Sequence, residues 1–284
     1  MIKEVGKLST GIIGFDQIAN GGIPEGRSTL ISGTAGSGKT VFALQFVLAG
    51  IRDFDQNGVF VTFEETPADL MLNVRSFGWD LESLVASQRI GIVDATPEPG
   101  EEAITTGPYD LSALLARIEN AVRRVGARRV ILDAIGGLFP QFSDANVVRR
   151  ELHRIHTGLR QLGVTTLITI ERTDEDTGLG RFGVEEFVAD NVIILRNRLD
   201  TEKRRRTVEI LKFRGATHQK GEYPFTIDPE TASRSSRSRR SSSSRSRRAC
   251  GSRPASPNST RCATAACTAT RSSSSAAPPA PARP

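Results

Sequence analysis

Short apolar segments rich in β-branched residues alternate with longer amphipathic segments along most of the chain. The short segments predict strands at residues 28–32, 58–63, 89–95, 128–133, 164–170, 191–198, 206–213 and 223–227. The longer segments predict helices at residues 41–49, 66–77, 111–125, 147–162 and 184–189. This alternation indicates an α/β fold with a mostly parallel central sheet flanked by helices. Residues 200–205 are predicted to form the loop of a C-terminal β-hairpin.

The segment between the first predicted strand and the first predicted helix carries a phosphate-binding motif. It fits the pattern G-x-x-x-x-G-K-T with Gly33, Thr34, Ala35, Gly36, Ser37, Gly38, Lys39 and Thr40. Glycines let backbone N–H groups turn inward around phosphate oxygens, and the N-terminus of the next helix attracts negative charge. The Lys39 amine can reach the outer phosphates of a nucleotide, and the Thr40 hydroxyl can hold Mg²⁺. Strand, motif and helix agree, so we predict a nucleotide site rather than a chance glycine-rich turn.

Carboxylates stand at the ends of two other predicted strands. Asp133 ends the fourth strand, as in a Walker-B sequence, and is predicted to hold Mg²⁺ through a water molecule near Thr40. Glu64 and Glu65 follow the second strand, at the sheet edge where open α/β sheets bind ligands. One of these two glutamates is predicted to orient and deprotonate an attacking water molecule. The alternative is an acidic pair favoured only by the dipole of the next helix.

Two histidines, His153 and His156, lie three residues apart on the helix predicted at residues 147–162. This spacing could hold a metal ion. No further His or Cys and no clustered carboxylates accompany them, so we interpret both as histidines that face solvent or an interface.

The composition changes abruptly near residue 230. Residues 1–229 are patterned as one globular domain, whereas residues 230–284 are rich in Ser, Arg, Ala and Pro. Such a segment cannot bury enough apolar surface to offset its ordering entropy, so a disordered tail is expected. An out-of-frame reading of a GC-rich gene explains this tail better than a functional arm does.

The charge of the chain divides at the same place. The net charge is +6, but 11 of the 38 basic residues and none of the 32 acidic residues lie beyond residue 230. The preceding part therefore has 27 basic against 32 acidic residues, a net charge of −5. Nucleic-acid binding is therefore not expected of the domain, although the Arg-rich tail could bind phosphate non-specifically.

The remaining composition excludes other classes of protein. All three cysteines lie in the tail, so the domain is expected to contain no disulfide framework or cysteine–metal site. We identify no signal peptide and no apolar run of membrane-spanning length, and therefore expect a cytoplasmic protein without membrane contact.

Several of these stretches together resemble one family. The stretches are residues 33–40, 61–67, 75–80, 148–152, 181–188 and 212–225, and they sample nearly all of residues 9–228. They are similar to the KaiC family of RecA-like P-loop ATPases, specifically to the first of the two repeated domains in that family. The domain is therefore expected to have a RecA-like fold and to act as an ATPase in a circadian clock or in signalling.

The resemblance also implies roles for particular residues. It implies a ring of six identical subunits with ATP and Mg²⁺ bound between neighbours. Gly36 to Lys39, Thr40 and Val41 would hold the phosphates, Ser76 would approach the nucleotide, and Glu64 and Glu65 would be the catalytic glutamates. A second set consists of Lys212, Phe213, Arg214, His218 and Lys220. These residues would reach the neighbour's nucleotide, and Lys212 and Arg214 would act in catalysis there. The alternative for this second set is an exposed basic strand end.

The resemblance also implies a partner and marks departures. A KaiB-like protein would dock at residues 96–108, the long Pro/Gly/Glu-rich loop from Thr96 to Pro108. Ala134, Ala216 and Asp228 stand where hydroxyl residues are usual in the family. Measured against this resemblance, the chain is expected to lack the second repeated domain, which would carry the kinase activity.

Three other functions compete with an ATP-hydrolysing clock ring. A RecA/RadA-like DNA-dependent ATPase is disfavoured by the acidic domain and by the lack of an interleaved basic and aromatic patch. A serine/threonine autokinase follows from the family label alone. A nucleotide-dependent scaffold without enzymatic activity is the third alternative.

Overall fold

The computed structural model describes residues 5–96, 111–141, 145–172 and 189–227. Its strands are β1 Lys7–Leu8, β2 Ile23–Pro24, β3 Ser28–Gly33, β4 Gly58–Thr62, β5 Ile90–Asp94, β6 Arg129–Asp133, β7 Thr165–Glu171, β8 Asn191–Asp200, β9 Lys203–Phe213 and β10 Glu222–Pro224. Its helices are α1 Ile13–Ile18, α2 Lys39–Phe54, α3 Pro67–Val74, α4 Leu81–Ala86, α5 Ser112–Val125 and α6 Ala145–Gln161. Most of the predicted segments are confirmed as the element type expected of them.

The central sheet has the strand order β10-β9-β8-β3-β7-β6-β4-β5. The six strands from β8 to β5 are mutually parallel, and β9 and β10 are added antiparallel. The predicted mostly parallel sheet with a terminal hairpin is therefore confirmed. The strand β3, which leads into the phosphate-binding motif, lies in the interior of the sheet between β7 and β8.

Apolar residues of the interior strands divide between the two faces of the sheet. Val59 and Val61 pack on one face in a cluster that includes residues of α5 and α6. Phe60, between them, packs on the other face in a cluster that includes residues of α1, α2, α3 and α4. Successive side chains of a strand point to opposite faces, so a strand covered on both sides is apolar throughout. This double burial fixes the carboxyl ends of β3, β4 and β6 along one edge.

The predicted loop of the C-terminal hairpin is wrong. Asp200 pairs with Lys203, so the turn consists only of Thr201 and Glu202, and the charged residues continue as strand. Thr201 has a φ of 59°, which permits this two-residue turn. The outer part of the hairpin is exposed, so both strands can carry charged side chains there. The run of charges that had indicated a loop is therefore compatible with strand.

Three smaller differences concern the ends of elements. The two-stranded sheet of β1 and β2 and the helix α4 were not predicted, because they are short. Leu111, the first residue of the helix predicted at residues 111–125, occupies the N-cap position of α5. The helix predicted at residues 184–189, the loop at residues 97–108 and the tail from residue 230 lie outside the described residues.

The interpretation of the two histidines on α6 is wrong for one of them. His153 is exposed, but His156 is buried, and its Nδ1 lies 2.8 Å from the hydroxyl of Ser28 on β3. The face of α6 that packs on the sheet includes His156, which a one-face helical pattern of apolar residues did not reveal. Among the described residues no group of three or more His, Cys, Asp or Glu side chains could hold a metal ion. No helix within the same ranges is long and apolar enough to cross a membrane.

Candidate nucleotide-binding site

The phosphate-binding motif forms a tight loop between β3 and α2. Gly36 and Gly38 have φ values of 70° and 97°, a backbone region that side chains rarely adopt. A Cβ added at Gly38 would lie 2.6 Å from Cδ1 of Ile227, and one added at Gly33 would lie 2.5 Å from the carbonyl oxygen of Leu195. Glycine is therefore required both by the backbone conformation and by the close approach of later segments of the chain.

Lys39 begins α2 and is folded back onto the loop. Its Nζ donates hydrogen bonds to the carbonyl oxygens of Gly33, at 2.9 Å, and Thr34, at 3.0 Å. Burial lowers the pKa of Lys39, while the negative charges of Glu171, Asp133 and Glu64 act in the opposite direction. A nucleotide phosphate would offer this amine a stronger acceptor than two neutral carbonyls.

Thr40 and Asp133 meet at the foot of the loop, as predicted. The Thr40 hydroxyl donates to Oδ2 of Asp133 at 2.8 Å, and the Thr169 hydroxyl donates to Oδ1. Burial raises the pKa of the Asp133 carboxyl, and these two hydrogen bonds and Lys39 oppose that change. A hydroxyl and a carboxylate beside a phosphate loop are the oxygen donors that Mg²⁺ uses, so these residues fit that ion.

The two adjacent glutamates have different surroundings. Although Glu64 is exposed, the protein packed on one side of it raises the pKa of its carboxyl, and the charges of Glu171 and Asp133 raise it further. Glu65 is turned toward α3, where its Oε2 accepts a hydrogen bond of 3.5 Å from the Asn73 amide. The charges of Lys39 and Asp133, the two groups that mark the phosphate site, both act on the pKa of Glu64, with Lys39 lowering it and Asp133 raising it.

Two further residues of the predicted phosphate and nucleotide set lie on helical segments. Val41 is the third residue of α2. Ser76 lies in the single 3₁₀ turn Arg75–Phe77 that follows α3, where it is exposed and its hydroxyl donates to the carbonyl oxygen of Asn73 at 3.2 Å.

The predicted basic segment lies at the opposite end of the sheet from the phosphate loop. Asn191, the first residue of β8, pairs with Thr29 of β3 and with Phe213, the last residue of β9. Gly33, where the loop begins, is four residues further along β3 than Thr29. At about 3.3 Å per residue this places the Phe213 backbone about 13 Å from the level of the loop. Lys212 and Arg214, beside Phe213, therefore do not join the chain's own phosphate site.

Two other members of the basic segment, His218 and Lys220, follow Arg214 along the chain. The rings of Phe213 and His218 meet edge to face with their centroids 5.4 Å apart. Burial lowers the pKa of His218, and the positive charges of Lys220 and Lys7 lower it further. Lys220 is exposed.

Sequence reasoning missed several residues that brace the loop. Arg206 of β9 donates from Nε to the carbonyl oxygen of Gly36 at 3.0 Å, and a Cβ at Gly36 would lie 3.4 Å from the Asn197 amide nitrogen. These contacts join residues more than 150 positions apart, so no local sequence pattern predicts them. Thr169 and Glu171 could have been found, because they end the strand between β3 and β6.

Comparison with known proteins decides the family. The profile of the KaiC ATPase family matches residues 8–234. This chain belongs to the KaiC ATPase family. The match agrees with the predicted family and with the RecA-like P-loop fold class, and it makes nucleotide binding and an ATPase domain properties of the family to which the chain belongs.

Three curated relatives with similar sequences are named as circadian clock proteins. The chain is 56% identical over 225 residues to the circadian clock oscillator protein KaiC of Thermosynechococcus vestitus, which covers 79% of this chain and 43% of that protein. Identity to KaiC of Synechococcus elongatus is 55% over 226 residues, with coverage of 79% and 43%. Identity to the circadian clock protein KaiC3 of Synechocystis sp. is 56% over 221 residues, with coverage of 78% and 44%. The chain therefore spans less than half the length of these relatives.

Proposed function

We propose that this chain is an ATP-hydrolysing domain that assembles into a ring of six identical subunits and completes each active site with residues of two neighbours. ATP and Mg²⁺ bind at the phosphate loop of one subunit. The neighbour supplies Lys212 and Arg214, with Phe213, His218 and Lys220 around them. The relatives are named as circadian clock proteins, and we therefore include a role in a circadian clock in the proposal. This role belongs to the proposal because the match covers less than half the length of those relatives.

The observation that carries this proposal is the separation of the two predicted sets. The loop, Thr40, Asp133 and Glu64 lie at the carboxyl ends of the parallel strands, whereas the basic segment is level with Thr29 at the start of β3. A head-to-tail ring brings unlike surfaces of identical subunits together, so it can join the two ends. Cations that arrive from a neighbour can neutralise charge that develops on the transferred phosphoryl group.

Each residue at the phosphate loop has a separate task in this proposal. Lys39 and the inward N–H groups of the loop, from Gly33 to Val41, bind the phosphates, and Ser76 approaches the nucleotide. Thr40 and, through a water molecule, Asp133 would hold Mg²⁺, and this ion would supply positive charge that stabilises the phosphates during hydrolysis. Glu64 accepts the proton of the attacking water molecule, for which its raised pKa suits it. Glu65 faces α3 and has a supporting task.

The other functions gain no specific support. DNA-dependent ATP hydrolysis would need a basic surface, but residues 1–230 carry a net charge of −5. Serine/threonine kinase activity remains tied to the family label. Docking of a KaiB-like partner at residues 96–108 stays a prediction, because residues 97–108 lie outside the described ranges.

The two adjacent glutamates allow a matched test of the catalytic site. Glu64→Gln should leave ATP binding and ring size unchanged and lower steady-state phosphate release at least tenfold, because a carboxamide keeps the shape of the side chain but accepts no proton at neutral pH. Glu65→Gln is the control and should retain most of the turnover. Phosphate release, ATP binding and size-exclusion chromatography with ATP measure the three properties.

Two outcomes would contradict this assignment. If Glu64→Gln hydrolyses ATP at the wild-type rate, Glu64 is not the base. If Glu65→Gln alone stops turnover, the roles of the two glutamates are reversed, although ATP hydrolysis itself would remain supported.

A further inference from the structure

Three consecutive residues, of which the last is the first residue of β8, hold the two cations of the basic segment. The carbonyl oxygen of Ala189 accepts a hydrogen bond from Nζ of Lys212 at 3.0 Å. A carboxylate oxygen of Asp190 lies 3.5 Å from the Arg214 guanidinium. The side-chain oxygen of Asn191 accepts a hydrogen bond from the Arg214 backbone N–H at 3.1 Å. One short segment therefore fixes both the main chain and the side chains of the basic segment.

Asp190 is the charged member of this group, and it is buried. Its side chain is 3% exposed, whereas that of Arg214 is 60% exposed. The same carboxylate oxygen lies 3.4 Å from Nη1 of Arg27, the residue before β3. One buried negative charge therefore faces two arginines, and the three side chains together carry a net positive charge. Arg214 is anchored on one side by Asp190 and keeps an exposed guanidinium that can bind an anion.

The same residues join the basic segment to the strand that carries the phosphate loop. The backbone N–H of Asp190 donates to the carbonyl oxygen of Ser28 at 3.0 Å. The side-chain amide of Asn191 donates to the Thr29 hydroxyl at 3.0 Å. Arg214 is therefore held against the first residues of β3, an interior strand of the sheet. A rigid element of this kind positions a functional group more exactly than a free loop does.

We propose that Asp190 is a positioning residue for the trans-acting arginine: buried between Arg27 and Arg214, its carboxylate sets the direction in which the Arg214 guanidinium leaves the subunit. This inference rests on the proposed function, because it assumes that Arg214 acts on the neighbour's ATP. Asp190 itself contacts neither nucleotide in this proposal. Its effect on hydrolysis passes through Arg214.

Asp190→Asn is the most conservative change that tests this role. It keeps an acceptor at Oδ1 and places the new NH₂ group at Oδ2, an atom with no hydrogen-bond partner among the described residues. The charge is lost and the shape is kept. We expect kcat for ATP hydrolysis to fall about fivefold, the factor that corresponds to about 1 kcal/mol, with KM and ring size unchanged.

A double-mutant cycle separates positioning from a general structural effect. If Asp190 acts through Arg214, Asp190→Asn should add nothing to the loss of kcat caused by Arg214→Ala. In mixed rings, Asp190→Asn should recover activity with Glu64→Gln and should not recover it with Arg214→Ala. Additive losses of kcat, or recovery with Arg214→Ala, would overturn the inference.

The possible failures remain distinguishable. If Arg214→Ala hydrolyses ATP normally, the trans role in the proposed function is wrong. If Arg214→Ala is impaired and Asp190→Asn is not, only the positioning role is wrong. Should Asp190→Asn fail to fold, Arg214→Lys is the second test, because it changes the exposed partner of the pair and keeps its charge, but removes the planar guanidinium that Asp190 directs. Wild-type kcat for that folded variant would count against the inference.

Discussion

A buried histidine faces the start of β3 from the helical side. His156 reaches Ser28 from α6, and the charged or titratable groups that face it are Asp190, Arg160, His153 and Arg214. Burial lowers its pKa from the usual 6.5, and Asp190 alone among these groups acts in the opposite direction. The folded protein therefore keeps His156 neutral at a pH where the unfolded chain already binds a proton.

This difference predicts how stability depends on pH. A histidine with a depressed folded-state pKa contributes its full stability above the unfolded pKa of about 6.5, and the contribution is lost as the pH falls through the folded pKa. Urea unfolding between pH 8 and pH 5 should show the free energy of unfolding decreasing at the acidic end. His156→Gln should reduce this dependence, and part of it should remain because the pKa of His218 is lowered as well.

The exposed His153 on the same helix provides the control for this prediction. His153→Gln should leave the pH dependence of the wild-type protein nearly unchanged. Equal slopes for wild type and His156→Gln across this range would contradict the prediction that the buried His156 makes stability depend on pH.

At the scale of elements, α2 is fitted around a buried arginine. Arg129 of β6 has no exposed surface, and its guanidinium donates to the carbonyl oxygens of Ser9, at 2.9 Å, and Phe46, at 2.6 Å, and to the Gln56 side chain, at 2.9 Å. The guanidinium lies 4.4 Å from the centroid of the Phe46 ring. Burial lowers its pKa to about 10, so it remains charged at neutral pH. Three fixed acceptors leave this side chain little freedom to move.

This arrangement reverses the usual effect of replacing a helical glycine. In an open helix, Gly→Ala stabilises by about 1 kcal/mol. A Cβ at Gly50 of α2 would lie 2.4 to 2.8 Å from atoms of the Arg129 side chain. We therefore expect Gly50→Ala to destabilise the protein by about 1–3 kcal/mol, the usual cost of overpacking, measured by urea unfolding.

Gly158 of α6 is the matched control. Its added Cβ would lie 2.8 Å from a terminal methyl group of Leu115 on α5, which can change rotamer. Gly158→Ala should therefore cost less than Gly50→Ala. A Gly50→Ala variant as stable as wild type would mean that Arg129 is not held as tightly as its hydrogen bonds indicate.

The sequence predicted most elements because their signals are local. The phosphate loop, the strands and Asp133 are readable from spacing and from the burial of both sheet faces. The burial of His156, the short turn at Thr201 and the bracing of the loop by Arg206 depend on contacts between distant segments. The 13 Å offset of the basic segment follows from strand register, which no single segment contains.

At the scale of the whole molecule, the proposed active site is divided between two ends of one sheet. Lys39, Thr40 and Asp133 gather at one end, and Arg214 is anchored at the other by Asp190. The proposal requires identical subunits to meet head to tail, so that each interface contains one complete site. The central claim is therefore that hydrolysis depends on two chains.

Phosphate release from mixed rings tests this claim most directly. Glu64→Gln and Arg214→Ala are each expected to lower turnover, and each leaves the other side of the interface intact. In an equal mixture with verified subunit exchange, roughly one interface in four combines an intact Glu64 with an intact Arg214. We therefore predict that the mixture regains about a quarter of the wild-type rate, whereas Arg214→Ala mixed with Lys212→Ala does not. A Glu64→Gln and Arg214→Ala mixture that stays as inactive as its components would contradict the shared site.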